Sequence, residues 1–86
     1  MIFPVFGRRI PINKKRRASL KDATDHLEYA KQVVERVLDE EQDAMDNIPE
    51  SLQSSERYEQ MEEAVDKLDD VVDDIDRAID LLSSIF

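Results

Sequence analysis

The sequence predicts an all-α protein, an antiparallel helical hairpin carrying an extended basic arm at its N-terminal side. Three observations point there. Only one glycine, Gly7, is present in 86 residues, which leaves almost no material for the positive-φ turns of β-hairpins. Charged residues make up 38% of the chain, and the apolar residues after Ser19 recur at helical spacing rather than alternating. Two such periodic stretches flank a single break at Pro49. The length allows one small domain. With no cysteine, disulfides, thiolate metal sites and cysteine nucleophiles are excluded.

Residues 1–18 read as the arm. The run Met1-Ile2-Phe3-Pro4-Val5-Phe6-Gly7 and the second proline, Pro11, cannot form a continuous helix, because each proline removes a donor and pushes the preceding residue toward extended geometry. Residues 1–21 hold seven bases and no acid, whereas residues 22–86 hold all 21 acids against five bases, −16; with the +7 of residues 1–21 this gives the formal −9. The bases come after the short apolar run instead of preceding a longer one, and no stretch approaches a membrane span. The expectation is a soluble protein, cytoplasmic or assembled in a virion. Ser19 and Asp22 have the spacing of an N-cap with a reciprocal acid at the third helical position, so the first helix is expected to open at Ser19. Arg16-Arg17-Ala18-Ser19-Leu20 also fits a basophilic kinase site, the alternative use of the same serine.

The first helix is expected over residues 20–47. Leu20, Leu27, Val34 and Ile48 share one heptad column, interrupted by Glu41, and Ala23, Ala30, Val37 and Ala44 share the next, with Leu38 and Met45 beside them. An alanine column admits a closely apposed neighbour helix. Residues 48–54 form the turn, since Pro49 disfavours helical geometry at Ile48 and Ser54 or Ser55 can cap a second helix; one long helix kinked at Pro49 is the alternative. The second helix, residues 55–86, carries Tyr58, Met61, Val65, Leu68, Val72, Ile75, Ile79, Leu82 and Phe86 at strict three-four spacing, widened by Ala64, Val71, Ala78 and Ile85. Three apolar positions in seven exceed a two-stranded seam. The hairpin is therefore expected to bury the surplus on another copy, most simply as a dimeric four-helix bundle, or on a partner protein.

No residue pattern calls for a cofactor, metal or catalytic group. His26 has no second histidine, and Asp69-Asp70-Val71-Val72-Asp73-Asp74-Ile75-Asp76 lacks the glycine and alternate-position oxygens of a calcium loop. Paired carboxylates on an open helix surface have no pocket to separate their pKa values. The chain is expected not to be an enzyme. The second helix nevertheless stacks like charges at i, i+4, among them Glu62/Asp66, Asp69/Asp73 and Asp76/Asp80, each mildly destabilising. Asp69, Asp73, Asp76 and Asp80 are the candidate partner-binding acids, for a basic protein surface, for imitating nucleic-acid phosphates, or for receiving the chain's own arm; a plain solvated face is the bland reading. On the arm, Ile2, Phe3, Val5 and Phe6 are candidates for docking as an extended peptide in a protein groove, with Arg8 and Arg9 beside them. Nucleic-acid binding by the arm is disfavoured by the −16 of the remaining chain, and membrane anchoring through Phe and Arg is the weakest alternative.

The turn Asn47-Ile48-Pro49-Glu50-Ser51-Leu52-Gln53, the adjoining Ser55-Glu56-Arg57 and the Met61-Glu62-Glu63-Ala64 start of the heptad stretch resemble short helical-hairpin proteins of Gram-positive bacteria and of their phages and mobile elements. The resemblance runs over residues 47–82 and does not reach the arm. It implies a coiled-coil hairpin and a phage or mobile-element accessory role, and it carries over no active-site residue or ligand. The leading expectation is a non-catalytic interaction or structural assembly protein. The alternative is an acidic, DNA-mimicking inhibitor of a host defence or nucleic-acid-processing protein.

Overall fold

The structure, a computed structural model, describes residues 12–85. The arm candidates Ile2, Phe3, Val5, Phe6, Arg8 and Arg9, and Phe86, which the sequence pattern places in the second helix, lie outside the described residues. Helix α1 runs Lys14–Asp46, a single 3-10 turn occupies Glu50–Leu52, and helix α2 runs Glu56–Ser83; no strand occurs among the described residues.

Helix α1 begins earlier than the sequence pattern indicates. Asn13, extended at φ −63°, ψ 165°, accepts a hydrogen bond on its side-chain oxygen from the Arg16 N–H at 2.8 Å. That bond satisfies one of the orphan donors of the first turn. Ser19 is thus an interior residue, not the N-cap, and its hydroxyl donates to the Lys15 carbonyl at 3.3 Å. Residues 14–18, expected in the extended arm, belong to the helix. The signal was masked because Lys14, Lys15, Arg16 and Arg17 sit on the positive end of the helix dipole, where acids are favoured, and no acid occurs in this turn. Residues 13–19 are exposed, and Leu20 is the first helical side chain to be partly covered. The first two turns of α1 therefore stand as a basic projection beyond the contact with α2.

The reversal is built as the proline requires. Asn47 closes α1, its N–H donating to the carbonyls of Asp43 and Ala44. Pro49 then turns extended at φ −57°, ψ 144°, and the 3-10 turn is closed by Leu52 N–H on the Pro49 carbonyl at 2.8 Å and Gln53 N–H on that of Glu50 at 3.2 Å. Ser55 caps α2, its hydroxyl accepting from the Tyr58 N–H at 3.2 Å, with Glu56 and Glu59 on the favourable dipole end. Helix α2 ends at Ser83, with Ser84 as its cap, instead of running to residue 86. The chain is a folded-back hairpin with α1 and α2 packed along each other, not one kinked helix.

On α1 the side chains with reduced exposure are Leu20, Thr24, Leu27, Lys31, Val34, Leu38, Glu41 and Met45, a regular alternation of four and three that Ile48 continues just beyond the helix, with Ala30, Val33 and Gln42 beside them. This corrects the second α1 column. Thr24 and Lys31 join Leu38 and Met45 on the inner line, while Ala23, Val37 and Ala44 are exposed. Apolarity alone favoured the alanines, yet both polar residues are accommodated. The Thr24 hydroxyl donates to the Leu20 carbonyl at 2.9 Å, and the Lys31 stem lies along the apolar line while its amine reaches outward. On α2 the inner line is Tyr58, Met61, Val65, Leu68, Val72, Ile75, Ile79 and Leu82, as the spacing indicates.

Two helices meet along one line only, so most of each inner side chain keeps a wet side. Among the described residues Met45 and Val72 alone are buried, at 7% and 8% exposed. The shape reflects this: the radius of gyration is 20.3 Å, against about 12 Å for a compact domain of this length.

Candidate functional site

Folding back turns α2 over relative to α1, so columns that flank the inner lines in the same sense arrive on one side of the hairpin. That side collects Ala23, Ala30, Val37 and Ala44 from α1 and Ala64, Val71, Ala78 and Ile85 from α2. Ala44 and Arg57, which belong to these two columns, line a single shallow concavity together with Glu41, Gln60 and Met61. Val37, Val71 and Ile85 are 39%, 41% and 45% exposed, and Leu81, one position further round α2, is 64% exposed. No large apolar side chain is exposed on the opposite side of the hairpin among the described residues; the other two, Tyr29 and Leu52, sit on the outer surface of α1 and in the turn.

The opposite side is acidic. Glu59, Glu62, Asp66, Asp69, Asp73, Asp76 and Asp80 repeat at three-four spacing along α2 with no base among them, seven carboxylates over about 32 Å of helix. Near the turn, Glu56, Glu59, Glu62, Glu63 and Asp66 line a second shallow concavity with Gln60. Three of the bases in this part of the chain are held elsewhere, by their own helix. Arg36 meets Glu40 at 3.9 Å, Lys67 meets Glu63 at 3.7 Å and Arg77 meets Asp74 at 2.8 Å; at such exposure these contacts add little to stability.

Lys31 is the exception, and it links the helices. Its amine lies 2.6 Å from the Asp76 carboxylate across the hairpin. The hydrogen bond to Asp76 raises the lysine pKa above its ordinary value of 10.5, with the Glu35 and Glu28 carboxylates acting in the same direction. A lysine at one inner position costs apolar contact but ties the two helices in one register, since a slip separates it from its acid.

Of the acids singled out from the sequence, Asp69, Asp73 and Asp80 are exposed and unengaged by any base among the described residues. Asp76 is partly covered and holds Lys31, so it serves the hairpin itself. The arm candidates fall outside the described residues. His26 is exposed, with Nδ1 2.8 Å from the Asp22 carbonyl oxygen. What the sequence reading missed is the pairing of sides: the widened stripe of α2 and the alanine column of α1 form one face. The shared flanking offset of the two columns carried that signal once the second helix was reversed. No family model, curated protein or solved structure matches the chain.

Proposed function

We propose that this chain is a non-catalytic assembly or protein-interaction protein, a hairpin zipped along heptad seams that self-associates as a dimeric four-helix bundle. The observation that carries the reading is the apolar face: Val37, Val71, Leu81 and Ile85 stay open to water while, among the described residues, only Met45 and Val72 are buried. A hairpin this thin gains more by covering that face than by leaving it wet, because burial is worth roughly 25 cal/mol per Å². The turn and second helix support an accessory role in phage or mobile-element biology through their resemblance to the short hairpin proteins of those elements. The arm, Ile2 to Arg9, supplies a docking segment for a neighbour. Sedimentation equilibrium tests both parts. The full chain is expected at twice its 10.0 kDa or more, and a chain lacking residues 1–12, which keeps the Asn13 cap, is expected to retain the bundle and lose further assembly or partner binding. A monomer at all concentrations contradicts self-assembly, and an unaltered set of interactions in the shortened chain contradicts the role of the arm.

The acid stripe favours a second reading, an acidic inhibitor that occupies the nucleic-acid site of a host protein. Seven carboxylates about 5 Å apart over about 32 Å of helix make a one-sided anionic row, sparser than the about 3.4 Å per charge of one phosphate strand. Replacing Asp69, Asp73 and Asp80 by Asn, with Asp76 left to Lys31, is expected under this reading to weaken capture of a nuclease or recombinase from host lysate. Wild-type capture then falls with added salt and is competed by DNA. Equal, salt-insensitive capture by both proteins excludes it.

A further inference from the structure

We infer that the apolar face is covered by a second copy of this chain lying antiparallel to the first, turn against open end, with α1 stacked on α1 and α2 on α2. The inference rests on the self-assembly reading and specifies its face and direction. Two levels along the hairpin are marked by contacts: Lys31 meets Asp76, and Ala44 shares a concavity with Arg57. Between these marks, Val33 and Val34 of α1 stand level with Val71 of α2. A two-fold axis across the face at that level sets Ala23 of one copy opposite Ala44 of the other and Ala30 opposite Val37. On the second helix it sets Ala64 opposite Ala78 and Val71 opposite its own symmetry mate. About one common level small side chains thus meet small or medium ones, Ala with Ala, Ala with Val and Val with Val, and at the ends Arg57 of one copy comes level with Ile85 of the other; each pairing off the axis occurs twice, as the reciprocity of an isologous contact demands.

Charge selects the same arrangement. The turn half of the hairpin, residues 31–73, holds 15 acids against four bases, −11, whereas residues 14–30 and 74–85 hold six of each. Copies lying parallel place −11 upon −11. Antiparallel copies place each turn half over a neutral half and bring the projecting Lys14–Arg17 turn level with the other copy's turn at Glu50. Stacking through the opposite side instead sets seven carboxylates against seven. The area suffices as well: α2 spans about 42 Å and the hairpin is 19 Å across, so one face offers roughly 800 Å², what a standard interface covers per partner.

The chain has no cysteine, so introduced ones report unambiguously. Single variants Ala23→Cys, Ala44→Cys, Val71→Cys and Ile85→Cys, each checked for wild-type helicity by circular dichroism, are exchanged and treated with a mild oxidant. Val71→Cys alone is expected to convert mostly to a disulfide-linked dimer, because only close Cα pairs can be bridged. Ala23→Cys and Ala44→Cys are expected to link when mixed and far less when oxidised separately. A dimer by sedimentation in which Val71→Cys stays reduced, and Ala23→Cys links instead to Ile85→Cys, overturns the antiparallel arrangement while leaving self-assembly standing. A monomer overturns both.

Discussion

Met45→Ala is expected to lower stability by about 2–5 kcal/mol, the range for removing a buried large apolar side chain. Met45 is 7% exposed, the deepest side chain among the described residues, and stands one turn before the reversal, where α1, the Pro49 turn and the start of α2 converge. A chain of this size has a total stability on the order of 5 kcal/mol, so the variant should lose a large part of it and unfold at markedly lower urea concentration. Urea denaturation followed by circular dichroism measures it. A stability within about 0.5 kcal/mol of wild type would mean that the turn end is not where the hairpin is held. The sequence pattern alone ranks Leu68 and Ile75 as equal anchors; both are only half-buried, and their truncation is expected to cost less than that of Met45.

The neighbouring valines of α2 supply the second large effect. Val72 is 8% exposed and faces α1, whereas Val71 is 41% exposed and faces outward. Val72→Asp places an unpaired carboxylate in the seam, and the hairpin is expected to lose more than about 3 kcal/mol, because a buried charge without a partner is strongly destabilising. Val71→Asp leaves the seam intact. In dilute solution its effect on hairpin folding is expected to be under about 1 kcal/mol, while self-association is lost. Thermal melts at several protein concentrations separate the two: the Val71→Asp midpoint should be independent of concentration, and the wild-type midpoint should rise with it. If both substitutions act alike on folding, the assignment of inner and outer faces on α2 is wrong.

The contrast between α1 and α2 shows where reading the chain worked. On α2 every inner position is apolar, so spacing alone identified the line from Tyr58 to Leu82. On α1 the inner line includes Thr24, Lys31 and Glu41, and the exposed flank includes Ala23, Val37 and Ala44. Ranking positions by apolarity therefore moved the second column one residue round the helix. Two of these polar residues are tolerated for reasons outside the pattern: Thr24 bonds back to Leu20 and Lys31 crosses to Asp76 on the other helix. The start of α1 was obscured in a similar way, because the Asn13 cap depends on one local hydrogen bond and four successive bases on the wrong end of the dipole hid it.

The sequence by itself determined the helical class, the reversal at Pro49, a serine cap at 54 or 55, the inner face of α2 and the separation of charge along the chain. These rest on local rules, namely proline's missing donor, serine's capping oxygen and the 3.6-residue period. Only the tertiary structure decided which columns meet and which stay open. The apolar flanks of α1 and α2 lie in separate halves of the chain, and each alone reads as a widened stripe. Reversal of the chain brings them to one side and leaves Asp69, Asp73 and Asp80 on the other, because turning a helix over exchanges its left and right flanks. The Lys31–Asp76 pair, 45 residues apart, belongs to the same class of fact: its geometry exists only once the register between the helices is set.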